Sequence, residues 1–195
     1  MKITILEGAR GVGKSTIARM LRDGLTNTVL INMTGNNDNS EEGKIATFKH
    51  YDNLMQYLSF EKFDTTPFNF LFDRTFFSEQ IYSSLYKDYN FTREYRNLLG
   101  QLDRLASNVE VKVILLITDE ENLERNLKRD GKAHLFGDEK FADNLHKSVQ
   151  QQGAYIRLIH EAEEMTNNIK YERVYLNQQN SLTDAVDLVK HIVNR

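Results

Sequence analysis

The stretch Ile5-Leu6-Glu7-Gly8-Ala9-Arg10-Gly11-Val12-Gly13-Lys14-Ser15-Thr16 decides the reading of this chain. Gly8 to Ser15 follow the pattern G-x-x-x-x-G-K-[ST], and they stand between an apolar β-branched run and a helical pattern. A turn at that junction aims successive backbone N–H groups inward as an anion cradle. The positive end of the following helix points at the same spot. Glycines at 8, 11 and 13 allow backbone conformations that a Cβ would obstruct. Gly8, Gly11, Val12, Gly13, Lys14, Ser15 and Thr16 are therefore expected to hold the polyphosphate of ATP. Lys14 would neutralise β- and γ-phosphate charge, and the Ser15 hydroxyl would ligate Mg²⁺.

The same logic extends outward from the loop. Ile3–Leu6, Thr28–Asn32, Phe68–Phe72, Val111–Ile117 and Arg173–Asn177 read as five short strands, most without polar alternation. Such runs suit strands covered on both faces of a parallel sheet. Helical spacing lies between them, at Ile17, Met20, Leu21 and Leu25 and again at Leu98, Leu99, Leu102 and Leu105. A last stripe runs from Leu182 to Val193, with Ser181 as its expected N-cap. The expected fold is thus α/β: a three-layer P-loop NTPase fold, a five-stranded parallel sheet with helices on both faces. Thr34–Lys44 reads as a polar surface loop, and Asp88–Arg93 and Arg129–Phe141 as mobile segments.

Composition narrows the chemistry. The 195 residues suffice for one domain, and a net charge of −3 gives no global pull toward nucleic acid or an anionic membrane. There is no cysteine, and the five histidines never fall at i, i+3 or i, i+4, which disfavours a zinc site. No run approaches a membrane span and the N-terminus enters a strand at once, so a cytoplasmic location is expected. A carboxylate for the Mg²⁺ shell is expected at the end of another strand. Asp73, after Phe68–Phe72, supplies it or caps the next helix.

The loop, followed by Asp73-Arg74-Thr75-Phe76-Phe77-Ser78 and then Glu121 to Gly131, resembles the thymidylate kinase and deoxynucleoside kinase family. The resemblance implies one kinase domain over residues 1–195, with a lid at approximately 125–141. It implies transfer of the ATP γ-phosphoryl group to a deoxynucleoside monophosphate, with dTMP or a related pyrimidine first. Other acceptors stay open: a nucleoside, a modified nucleotide or a base within DNA, as does a non-enzymatic or switch-type nucleotide-binding protein. It also implies a homodimer by analogy, with small-molecule nucleotides rather than polymeric nucleic acid as partners.

Carried over by position, Arg74 would grip the acceptor's phosphate or the transferring group, as its planar fork allows. Ser78 holds the family's serine position. Tyr82 would flank base or sugar, and Phe48 would stack on the base for about 1–3 kcal/mol; both equally suit plain core packing. Phe76 and Phe77 read as core. Arg125, Arg129 and Lys132 form the lid's cations, or else a solvated helix face. Gln178, within Asn177–Asn180, falls where the family's adenine-contacting loop lies.

The chain also departs from the family pattern. Arg10 stands where many thymidylate kinases carry an acidic residue. It adds a cation to the transfer zone, or marks a differently bound acceptor, or points to solvent. The segment after the second strand, Asn32–Asp38, lacks both the Arg-Pro and the Glu-Pro motifs. Glu7 and Asp73 remain as proton acceptors, and a monophosphate, already anionic, needs little such help.

Overall fold

The computed structural model describes residues 1–33, 36, 38–60, 68–129, 137–176 and 182–195, with 137–142 described by backbone only. The strands are β1 (Lys2–Glu7), β2 (Thr28–Asn32), β3 (Asn69–Asp73), β4 (Glu110–Thr118) and β5 (Lys170–Leu176). All pair in parallel, in the order β2-β3-β1-β4-β5. The helices are α1 (Lys14–Gly24), α2 (Glu41–Leu58), α3 (Phe76–Tyr86), α4 (Thr92–Ala106), α5 (Glu120–Arg129), α6 (Gly137–Met165) and α7 (Leu182–Asn194).

Strand side chains alternate between two cores, as the period of two requires. Ile3, Ile5, Phe70, Phe72, Val111, Val113, Leu115 and Ile117 pack against α2, α3, α4 and α6. Leu6, Leu71, Ile114, Leu116 and Val174 pack against α1, α5 and α7. Both faces of the sheet are covered, so its strands read as unbroken apolar runs. Phe76 and Phe77 are fully buried with ring centroids 4.8 Å apart, as core residues. Removing each such ring from water stabilises by about 1.5–3 kcal/mol.

Three local expectations are corrected. Residues 41–44 begin α2 rather than ending a loop, because Ser40 accepts from the Gly43 N–H (3.2 Å) and Glu41 and Glu42 fill the first turn. Asp88–Arg93 is anchored, since Tyr89 and Phe91 are buried and Thr92 opens α4. Within Arg129–Phe141, residues 137–141 are the first turn and more of α6. Lys132, Gln178 with its neighbours Asn177–Asn180, and Ser181 lie outside the described residues. No helix among the described residues is long and apolar enough to cross a membrane.

The register brings the chemistry to one end. Asp73 pairs with Leu6 on one side and Asn32 on the other, and Glu7 is level with Leu115. The chain order reverses at β1, which puts a ligand crevice at the carboxyl ends of the central strands.

Candidate functional site

The loop between β1 and α1 turns on its glycines. Gly8 has φ +145°, and a Cβ there would sit 2.6 Å from the Leu116 carbonyl oxygen, so only glycine fits. Gly13 is left-handed at φ +97° and caps α1. The Lys14 ammonium is buried and donates to the Gly8 and Ala9 carbonyls at 2.6 and 2.8 Å. Burial, and after it the Arg74 charge, pulls its pKa down to about 7 against the opposing effect of Glu7 and Asp73. A polyphosphate would oppose both downward effects.

A cavity of about 680 Å³ opens from this loop. Gly11, Gly13, Lys14, Ser15 and Thr16 line it, as do Arg10 and Arg129. Arg10 therefore points inward rather than to solvent. Its backbone N–H donates to Gln151 Oε1 (3.0 Å), and its guanidinium reaches Asn144 Oδ1 (3.4 Å). Gly8 and Val12 shape the turn from behind, and Val12 is part of the core. Of the two arginines on α5, only Arg129 lines the cavity; Arg125 donates to Asn122. Asn126, three residues before Arg129, clamps the loop by donating to the Gly11 carbonyl (2.9 Å).

Arg74, Ser78 and Tyr82 line the same cavity, with Tyr51, Glu79 and Tyr86. Arg74 is left-handed at φ +76°, which costs a non-glycine residue about 1–3 kcal/mol. Its guanidinium donates to the Tyr82 hydroxyl (3.1 Å). Phe48 packs against the core and does not line the cavity; Tyr51, three residues on along α2, does. Glu7 does not line it either. It is fully buried, takes Thr75 N–H (2.7 Å) and both Thr75 and Ser78 hydroxyls, and burial raises its pKa.

Asp73 tests the fit of a divalent cation. Its Oδ2 accepts from Asn32 Nδ2 (3.1 Å), whereas Oδ1 is buried with no hydrogen-bond partner among the described residues. An orphaned carboxylate oxygen at the end of β3 and an exposed Ser15 hydroxyl at the start of α1 are both donors that suit a hard cation, directly or through water.

Sequence reasoning missed several groups that line the cavity or brace its walls. Glu79 directly follows Ser78, and Asn126 shares a helical face with Arg129, so both had a local signal. Gln151 had none. It is 141 residues from Arg10, and its Nε2 donates to the Tyr86 hydroxyl (3.1 Å), joining loop and aromatic wall.

No protein-family model and no curated protein matches the sequence. Among solved structures, the chain is similar to the YorR protein of Bacillus subtilis, in complex with phosphorylated GDP: 18% identity, 98% of this chain, 95% of that one, TM-score 0.58. It is similar to a deoxyadenosine kinase from M. mycoides with dCMP and dCDP bound: 17% identity, 100% and 99% covered, TM-score 0.57. It is also similar to thymidylate kinase from Candida albicans: 16% identity, 99% and 91% covered, TM-score 0.52. The chain thus has the fold of P-loop kinases, with no preference among them for thymidylate kinase.

Proposed function

We propose that the protein is an ATP-dependent nucleotide kinase that transfers the γ-phosphoryl group to a deoxynucleoside monophosphate. One observation carries the reading: a single cavity joins a lysine-bearing phosphate loop to an arginine and an aromatic wall. Lys14 and the loop amides would hold the ATP phosphates. Arg74, across the cavity, would grip the acceptor's phosphate with the transferring group between them. Arg10 and Arg129 would add positive charge to stabilise the negative charge on the equatorial oxygens. Mg²⁺, held by Ser15 and Asp73, would neutralise charge on the β- and γ-phosphates. A monophosphate brings its own anionic nucleophile, which suits a site whose Glu7 carboxylate is fully engaged by Thr75 and Ser78.

The acceptor wall supports a base preference. Lys87 commits its three protons to the Asn36 carbonyl, Glu79 Oε1 and the Tyr89 hydroxyl. Glu79, which also lines the cavity, is a carboxylate and can only accept. The charged group offered to a base is therefore an acceptor. It favours an exocyclic amine, as on cytosine or adenine, over the O4 of thymine.

A second reading, phosphorylation of a free nucleoside, draws on the orphaned Asp73 Oδ1, which could take the hydroxyl proton. One assay separates these: ADP release from Mg²⁺-ATP with a panel of nucleosides, monophosphates and oligonucleotides. Release is expected only with monophosphates, dCMP or dAMP exceeding dTMP by about tenfold. ADP formed equally without any acceptor would point to a switch-type protein and end the kinase reading.

A further inference from the structure

We infer that Glu7 is a positioning residue, which holds Arg74 at the acceptor side of the cavity through Thr75 and Ser78 without touching either nucleotide. The inference rests on the kinase reading above. Arg74 sits between two anchors. Before it, Asp73 belongs to β3, and the Arg74 N–H itself continues the ladder by donating to the Leu6 carbonyl (3.1 Å). After it, Thr75 is fixed by Glu7, the last residue of β1, which accepts the Thr75 N–H at 2.7 Å and its hydroxyl at 3.0 Å on one oxygen. Left-handed backbone at a non-glycine residue persists only where its surroundings over-determine it. Here β1 supplies both restraints, one on each side of Arg74.

The second oxygen of Glu7 extends the clamp. It accepts the Ser78 hydroxyl at 2.8 Å, and the Ser78 oxygen lies 2.6 Å from the Tyr155 hydroxyl. Ser78 has one hydroxyl proton and spends it on Glu7, so Tyr155 is the donor of that pair. The start of α3 is thereby tied to β1 and α6 together. The Thr75 N–H and the Thr75 and Ser78 hydroxyls face the carboxylate, and Glu7 is fully buried and does not line the cavity. A role as proton acceptor from the substrate does not suit that enclosure. With Thr75 released, Arg74 would relax to ordinary backbone geometry and swing its guanidinium away from Tyr82.

The test is a double-mutant cycle on an acceptor that the wild type turns over. Wild type inactive on the whole panel would overturn the kinase reading itself, whatever Glu7 does. With an active wild type, Glu7→Gln keeps size and one acceptor oxygen but sets an amide donor against a hydroxyl or N–H donor. Its acceptor kcat/KM is expected to fall at least about tenfold, with the KM for ATP changing less than about threefold. In an Arg74→Ala background, Glu7→Gln should add less than about threefold. Losses that multiply, or a loss carried by the KM for ATP, would overturn the inference and point to Lys14 as the group affected. If Glu7→Gln does not fold, Thr75→Val decides. It removes the hydroxyl bond and keeps the N–H, so a loss of about threefold or more that vanishes in the Arg74→Ala background is expected. Unchanged acceptor kcat/KM in Thr75→Val would overturn the inference.

Discussion

The two ends of the sheet handle charge in opposite ways. At the amino end, Glu110 receives Lys2, Lys112 and Lys170, each at 3.0 Å. Lys112, buried, also donates to the Ile192 carbonyl near the end of α7 (2.8 Å). Burial would raise the Glu110 pKa, but hydrogen bonds from Lys170, Lys112 and Lys2 bring it down to about 2. Each of these four charges has its partner. At the carboxyl end, Lys14 is desolvated, Asp73 keeps an orphaned oxygen and Arg74 is held in a costly conformation. The contrast teaches that one fold serves two economies of charge. The amino end compensates its own charges, while the carboxyl end leaves its charges uncompensated, as the proposed phosphate and cation site requires.

The comparison can be broken at either end. The largest expected effect is on catalysis at the carboxyl end: Lys14→Ala should lower kcat by at least about 100-fold. Its melting temperature should hold or rise, because a desolvated cation is removed. A turnover near wild type would end the contrast. At the amino end the effect should be on stability alone. Lys112→Met removes one of the three lysines on Glu110 and leaves the Ile192 carbonyl without that donor, and should lower the unfolding free energy by about 2 kcal/mol in urea titration with kcat unchanged.

Next in size is Gln151→Leu, which severs the strut between loop and aromatic wall. Its acceptor kcat/KM should drop about tenfold, the equivalent of one buried hydrogen-bond pair. A loss smaller than twofold would show that the loop and the aromatic wall are positioned independently. The smallest effect belongs to Glu110→Gln. The native pKa of Glu110 is depressed, so its contribution is fully present above the unfolded value of 4.5 and is lost as pH falls toward about 2. Thermal melts of the variant should therefore lose less stability than wild type between pH 4.5 and 2, with a difference under about 1 kcal/mol at neutral pH.

Much of this architecture was legible because it is local. Each buried strand announces itself by an apolar run, and the phosphate loop is a continuous stretch whose glycines answer to backbone conformation alone. The helices α1, α4 and α7 bury clean stripes. The start of α2 was obscured by asparagines and glycine, although Ser40-Glu41-Glu42 carries a capping signal. The long helix α6 escaped because it buries Ser148 and Gln151 beside Ala154, Tyr155, Leu158 and Ile159, which blurs the apolar period. The site divides in the same way. Lys14, Ser15, Asp73 and Arg74 could be read from neighbours in sequence. Tyr51 reaches the cavity, and Gln151 braces two of its lining residues, only through tertiary packing, and Phe48 shows how three residues along a helix change which ring faces a cavity.

The inner face of α6 carries a polar spine. Gln151 grips the phosphate loop and Tyr86, Gln152 pairs with both backbone groups of Thr118 (2.9 and 2.8 Å), and Tyr155 meets Ser78. A slip of one residue along this helix would rotate those groups by about 100° and break the contacts together. The helix is therefore keyed to the sheet like a spline in its slot. A movement that keeps these contacts carries α6, the phosphate loop and the end of β4 together.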